Sequence, residues 1–123
     1  MMLTPLELDI MKAIWHRPPI TVRDVQDAIR PSRNLAYTTV MTIMDRLFHK
    51  GFLTRRLQSR THLYEPAIGY AEVRDDAVEK LIDRFFDGSQ ETLQEFLDEY
   101  SNGAGTGAGV ELSTPAALDD TLL

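Results

Sequence analysis

Thr38, Thr39 and Thr42 share one stretch of chain with Arg46 and Lys50. On a helix advancing about 100° per residue, Leu35 to Gly51 divides into two arcs. Tyr37, Val40, Met41, Ile43, Met44, Leu47 and Phe48 fall on one side, and Thr38, Thr39, Thr42, Asp45, Arg46, His49 and Lys50 on the other. Threonine costs roughly 0.5 kcal/mol more than alanine in a helix, and a face kept only for solubility favours Glu, Lys and Ala. A threonine hydroxyl can instead pair with a base edge, and its methyl can rest on a thymine methyl. The pattern predicts a major-groove reader, with Thr38, Thr39 and Thr42 at base edges and Arg46 beside them. Tyr37, at the edge of the apolar arc, suits core packing and a phosphate contact equally. Asp45, the one acid on the polar arc, is expected to cap or to pair with a neighbouring arginine.

Two further sets of polar residues stand near that stretch. Arg33 and Asn34 immediately precede it, where backbone N–H groups favour a phosphate, although an ordinary turn fits the same residues. Two short runs of β-type composition, Phe52–Arg56 and His62–Glu65, flank Leu57–Thr61 and read as a hairpin; Arg56 and Arg60, near its tip, suit backbone or minor-groove contacts. Arg55 faces the opposite side from Arg56 and is expected to turn toward the protein body.

Positioning these groups requires a scaffold, and the chain spells one out. Thr4-Pro5-Leu6-Glu7 is a helix start with a capping box and proline in the first turn. The helix extends to about His16, burying Leu6, Ile10, Met11, Ala13, Ile14 and Trp15, and Arg17-Pro18-Pro19 ends it. Ile20 reads as a single extended residue. Thr21, with Asp24 three residues on, opens a second helix to about Ile29, and Pro31–Asn34 is a turn. Gly51 closes the third helix. Three helices and a hairpin in this order predict a mainly α fold with a small β-hairpin, a winged helix-turn-helix, over residues 1–68.

Beyond residue 68 the pattern changes. Val73, Ala77, Leu81 and Phe85 form one apolar stripe; after a break at Asp87–Ser89, Leu93, Phe96 and Leu97 form another. Helices this short and this apolar on one side are expected to pair with a second copy of themselves. Residues 69–101 therefore read as a helical dimerisation region. Residues 102–123, rich in glycine, read as a flexible tail with at most a weak helix after Thr114-Pro115.

Charge divides along the same line. Residues 1–66 hold ten Lys/Arg against six Asp/Glu, a net +4, whereas residues 67–123 hold three against thirteen, a net −10. A nucleic-acid-binding end and a different acidic end follow, masked by the overall −6. With no cysteine, disulfides and thiolate metal sites are excluded. His16, His49 and His62 follow no metal-ligand spacing, and no phosphate loop or nucleophile set occurs, so neither an enzyme nor a cofactor or metal is expected. No stretch resembles a membrane span or signal peptide, which predicts a cytoplasmic protein without membrane insertion.

The segments Thr4–Met11, Ile20–Val25, Leu35–Met44 with Asp45-Arg46-Leu47, and Arg60–Pro66 resemble the penicillinase repressor (BlaI/MecI/CopY) family over roughly residues 3–100. That resemblance implies a bacterial transcriptional repressor, a homodimer on a palindromic double-stranded operator with TACA/TGTA-type half-sites. It also implies a membrane sensor protease as partner, which leads to cleavage at an Asn-Phe bond in the dimerisation region. The matching stretch Leu93-Gln94-Glu95-Phe96-Leu97 has no asparagine, and the paired cysteines of copper-responsive relatives are missing. Two rival readings keep the winged fold: a protein-interaction module, and a small-molecule-sensing dimeric regulator.

Overall fold

The computed structural model describes residues 2–104. Most of the 102–123 tail, including the helix expected after Thr114, lies outside the described residues. Two compact units divide between Ala77 and Val78, within one helix.

The first unit is built on reciprocal caps. In α1 (Pro5–His16) Thr4 Oγ1 accepts from the Glu7 N–H at 3.1 Å, and Glu7 Oε1 accepts from the Thr4 N–H at 3.0 Å. Thr21 and Asp24 repeat the arrangement at the start of α2 (Val22–Ile29). Each box satisfies two backbone donors that a helix start leaves without partners. The third helix, α3 (Tyr37–His49), starts from Ala36 with no side-chain cap. Its end is defined instead by Gly51, whose φ of +91° is the left-handed conformation that glycine accepts without strain.

Antiparallel strands β1 (Leu53–Gln58) and β2 (Thr61–Pro66) pair from Leu53↔Pro66 to Gln58↔Thr61. Each is longer than the β-type composition alone indicates. Ser59 (φ 51°) and Arg60 (φ 67°) form the connecting two-residue turn, and two consecutive positive φ angles match the twist of a hairpin. The expected extended residue Ile20 bridges Tyr64 in both directions, at 3.0 and 2.8 Å, adding a single rung to the hairpin edge.

Ile10, Met11 and Ile14 of α1, Val25 of α2 and Val40, Met44 and Leu47 of α3 meet at a fully enclosed centre, closed on one side by Phe52, Leu53 and Tyr64. Leu6, Ala13 and Trp15, expected inside, lie partly buried around it. The Trp15 indole N–H donates to the Ile68 carbonyl at 2.9 Å, and its ring meets Tyr70 edge-on at 5.4 Å. This contact secures the start of α4 (Tyr70–Phe85) to the first unit. Val73 follows it into that core, 8% exposed.

In the second unit, the remainder of α4 leads through Gly88 to α5 (Gln90–Glu99), capped by Ser89 on the Thr92 N–H. The chain continues from α5 into a π turn, Tyr100–Ala104. Phe86 and Phe96 meet at 5.7 Å and Phe96 and Tyr100 at 5.8 Å. No residue of α5 is buried, and Val78, Leu81, Phe85, Phe96 and Leu97 are all exposed.

Candidate nucleic-acid interface

Of α3, the stripe Val40, Ile43, Met44 and Leu47 is buried in the core, and Phe48 packs partly buried against it. Thr38 and Thr42 lie opposite it and are exposed, flanked by Thr39 and Arg46 on one side and by Met41 and Tyr37 on the other. The apolar arc read from spacing is therefore too wide. Tyr37 and Met41 lie at its margin and are 41% and 42% exposed, because the neighbouring elements cover only the centre of the stripe. Among the described residues, the hydroxyls of Thr38, Thr39 and Thr42 enter no hydrogen bond and Arg46 enters no ion pair. The face presents donors, acceptors and methyl groups with no partner of their own.

Next to that face, the Arg23 guanidinium lies 5.7 Å from the Tyr37 ring centroid. Arg23, Tyr37, Met41, Arg60 and His62 line one groove between the start of α2, α3 and the hairpin tip. The groove brings together two predicted contacts, Tyr37 and Arg60, with Arg23 and Met41, which sequence reasoning did not select. Met41's displacement from the centre of the apolar stripe was the available signal. Arg23 offered none, being one charge among several on an amphipathic helix.

Several cations are already engaged. Arg33 Nε donates to Asp9 Oδ2 at 2.7 Å, joining the turn before α3 to α1, while neighbouring Asn34 is exposed. Arg56 Nη1 meets Glu65 Oε2 at 2.9 Å across the hairpin; both side chains are about half exposed, so salt screens the pair. Lys50 reaches Glu7 Oε2 at 3.0 Å. Glu7, only 2% exposed, is thus both a cap and the inner half of an ion pair joining the start of α1 to the end of α3. Burial pushes its carboxyl up, but hydrogen bonds from Thr4 and Lys50 outweigh this and hold it below the ordinary carboxylate value.

Arg55 turns inward as the strand alternation predicts. Its guanidinium lies 4.0 Å from the Phe48 ring centroid and donates to Asp45 Oδ1 at 2.8 Å and to the Tyr64 hydroxyl at 3.3 Å. The hydrogen bond from Arg55 keeps the Asp45 carboxyl below its usual range, and the same bond raises the Arg55 pKa. Asp45 therefore pairs with an arginine, one of the two roles expected of it.

Of the apolar positions expected at a dimer interface, Val73 belongs to the first unit's core, because α4 begins there. Leu81, Phe85, Phe96 and Leu97 are exposed, as is Ala77, and Leu93 is half-buried. Among the described residues there is no metal-holding group of His, Asp or Glu, and no helix is long and apolar enough to cross a membrane.

Residues 3–103 match the family model described as penicillinase repressor. The transcriptional regulator BlaI of Mycobacterium tuberculosis is 41% identical over 78 residues, 63% of this chain and 54% of that protein. The penicillinase repressor of Bacillus licheniformis is 25% identical over 87 residues, 71% of this chain and 68% of the relative. The chain thus spans about half the length of the first of these relatives and two thirds of the second. Among solved structures, the Bacillus licheniformis BlaI monomer in complex with the blaP half-operator is similar, with a TM-score of 0.51 and 26% identity. That match covers 58% of this chain and 88% of the other. MarR of E. coli, 18% identical with a TM-score of 0.53 over 94% of this chain and 78% of its own, shares the fold.

Proposed function

The chain belongs to the penicillinase repressor family, and from that premise we propose that it is a DNA-binding transcriptional repressor acting as a homodimer on a palindromic operator. The observation that carries the reading is the outward face of α3, where Thr38 and Thr42 stand exposed with unengaged hydroxyls beside unpaired Arg46. A relative with 26% identity has been solved on a half-operator.

Phosphate contacts by Arg46, Arg60 and Arg56 supply sequence-independent affinity, and each phosphate neutralised steepens the salt dependence. Thr38, Thr39 and Thr42 select base edges. Tyr37, itself exposed, and Asn34 border the same duplex. Arg33 holds the turn in register through Asp9 and retains N–H groups for a phosphate. Ala77, Leu81, Phe85, Leu93, Phe96 and Leu97 join two copies, which makes the second half-site nearly intramolecular. Whatever separates the copies releases the DNA. A membrane sensor protease is the partner that the family suggests for that step, although Gln94-Glu95-Phe96 lacks the family's Asn-Phe bond.

Fluorescence anisotropy with a palindromic TACA/TGTA duplex and a scrambled duplex, at several salt concentrations, tests this. Tight, salt-steep binding to the palindrome alone is expected. Equal, weak binding to both would favour a protein-interaction module.

A further inference from the structure

An acid on a surface that meets DNA is repelled by phosphates unless something compensates its charge. Asp45 is such an acid, one turn beyond Thr42 on α3, with its side chain 51% exposed. Compensation comes from behind. Arg55 of β1 holds Asp45 Oδ1 at 2.8 Å and is itself fixed by stacking on Phe48 and by the hydroxyl of Tyr64, which is 2% exposed. The bond leaves one carboxylate oxygen over. His49 Nδ1 is bonded to the Asp45 backbone carbonyl at 2.8 Å and lies 3.6 Å from Oδ2, beyond hydrogen-bond reach. Oδ2 therefore retains acceptor capacity, on a side chain whose charge is balanced and whose orientation is set by three elements.

We propose that Asp45, oriented by Arg55, is a specificity-determining residue of α3 that accepts a hydrogen bond from the exocyclic amino group of a major-groove base, cytosine N4 above all. This rests on the operator-binding reading above. An ionised carboxylate only accepts. It pairs with the cytosine N4 donor, and it rejects a position that presents only the N7 and O6 acceptors of guanine or the O4 of thymine. Arg55 is the positioning residue: it does not touch the base, but it prevents Asp45 from turning away and offsets its repulsion from the backbone.

The test begins with enrichment of preferred duplexes from a random pool by the wild-type chain. Binding of wild type, Asp45→Ala, Asp45→Asn and Arg55→Met is then measured against the enriched duplex and every single base-pair swap, with thermal melting as a fold control. Discrimination at one base pair per half-site, about tenfold or more in wild type, should collapse in Asp45→Ala while preferences elsewhere persist. Asp45→Asn, whose amide also donates, should change the preferred base at that pair. Arg55→Met should weaken binding to all duplexes and also blur that pair. An unchanged preference profile in both Asp45 variants, or a uniform loss at all positions, would overturn the proposal and reduce the pair to a strut between helix and hairpin. If wild type enriches no sequence, the operator-binding reading fails first and takes this proposal with it.

Discussion

The two units of this chain bury their apolar residues in opposite ways. In the first, Ile10, Met11, Ile14, Val25, Val40, Met44 and Leu47 are completely enclosed, and even the carboxylate of Glu7 is paired inside. In the second, α5 buries nothing, and Phe85 remains 74% exposed. Short helices of this kind gain most of their stability from an apolar face covered by something else. The first unit supplies its own cover and can spend its surface on recognition. The second leaves Leu81, Phe85, Phe96 and Leu97 exposed, the surface that the proposed homodimer would cover.

The sharpest way to break this contrast is Leu81→Asp. It should leave the first unit folded, produce monomers, and lower palindrome affinity by about a hundredfold or more, read by sedimentation and anisotropy. A dimer that persists with full affinity would remove α4 from the interface. Next in size, Ile14→Ala should cost about 2–5 kcal/mol of unfolding free energy. Phe85→Ala should leave that transition in place and shift only its dependence on protein concentration, so denaturant titrations of the two variants separate the units directly.

Glu7→Gln should cost about 1–3 kcal/mol at neutral pH, because Lys50 and the Thr4 N–H lose a charged partner. The sign of its pH dependence follows from a folded-state pKa lowered below 4.5. The wild-type contribution is complete above the unfolded value and disappears as pH falls through the folded one. Wild type should therefore lose stability on acidification more steeply than Glu7→Gln, measured by melting between pH 7 and pH 3. Thr42→Ala should lower specific binding by about 1–3 kcal/mol and leave non-specific binding nearly intact; equal losses would move Thr42 away from the bases. Smallest of all, Arg56→Ala should reduce the magnitude of the salt slope by about one and leave sequence preference unchanged.

What the sequence disclosed and what it withheld follow the range of each interaction. Both capping boxes, the Gly51 stop, the inward turn of Arg55 and the extended backbone at Ile20 depend on residues close in sequence or on strict alternation, and all are legible; that Ile20 bridges Tyr64 is not. The Glu7–Lys50 pair spans 43 positions and the Arg33–Asp9 pair 24. Local patterning shows that these residues are polar, but not which of them meet. Met41 and Tyr37 lay on a margin where an arc drawn by angle alone cannot say how far the neighbouring elements extend. Val73 carried the same periodicity as Ala77 and Leu81, yet it belongs to the first core because Tyr70 anchors on Trp15. The outward face of α3, by contrast, was visible from its threonines, whose presence no helix propensity explains.

The division of labour between the units can be tested in one comparison: sedimentation of the full chain with a duplex carrying two TACA/TGTA half-sites, against one carrying a single half-site. Two chains on the palindrome, with an affinity about a hundredfold or more above that for the single site, are predicted. One chain per palindrome, or equal affinity for both duplexes, would contradict the account.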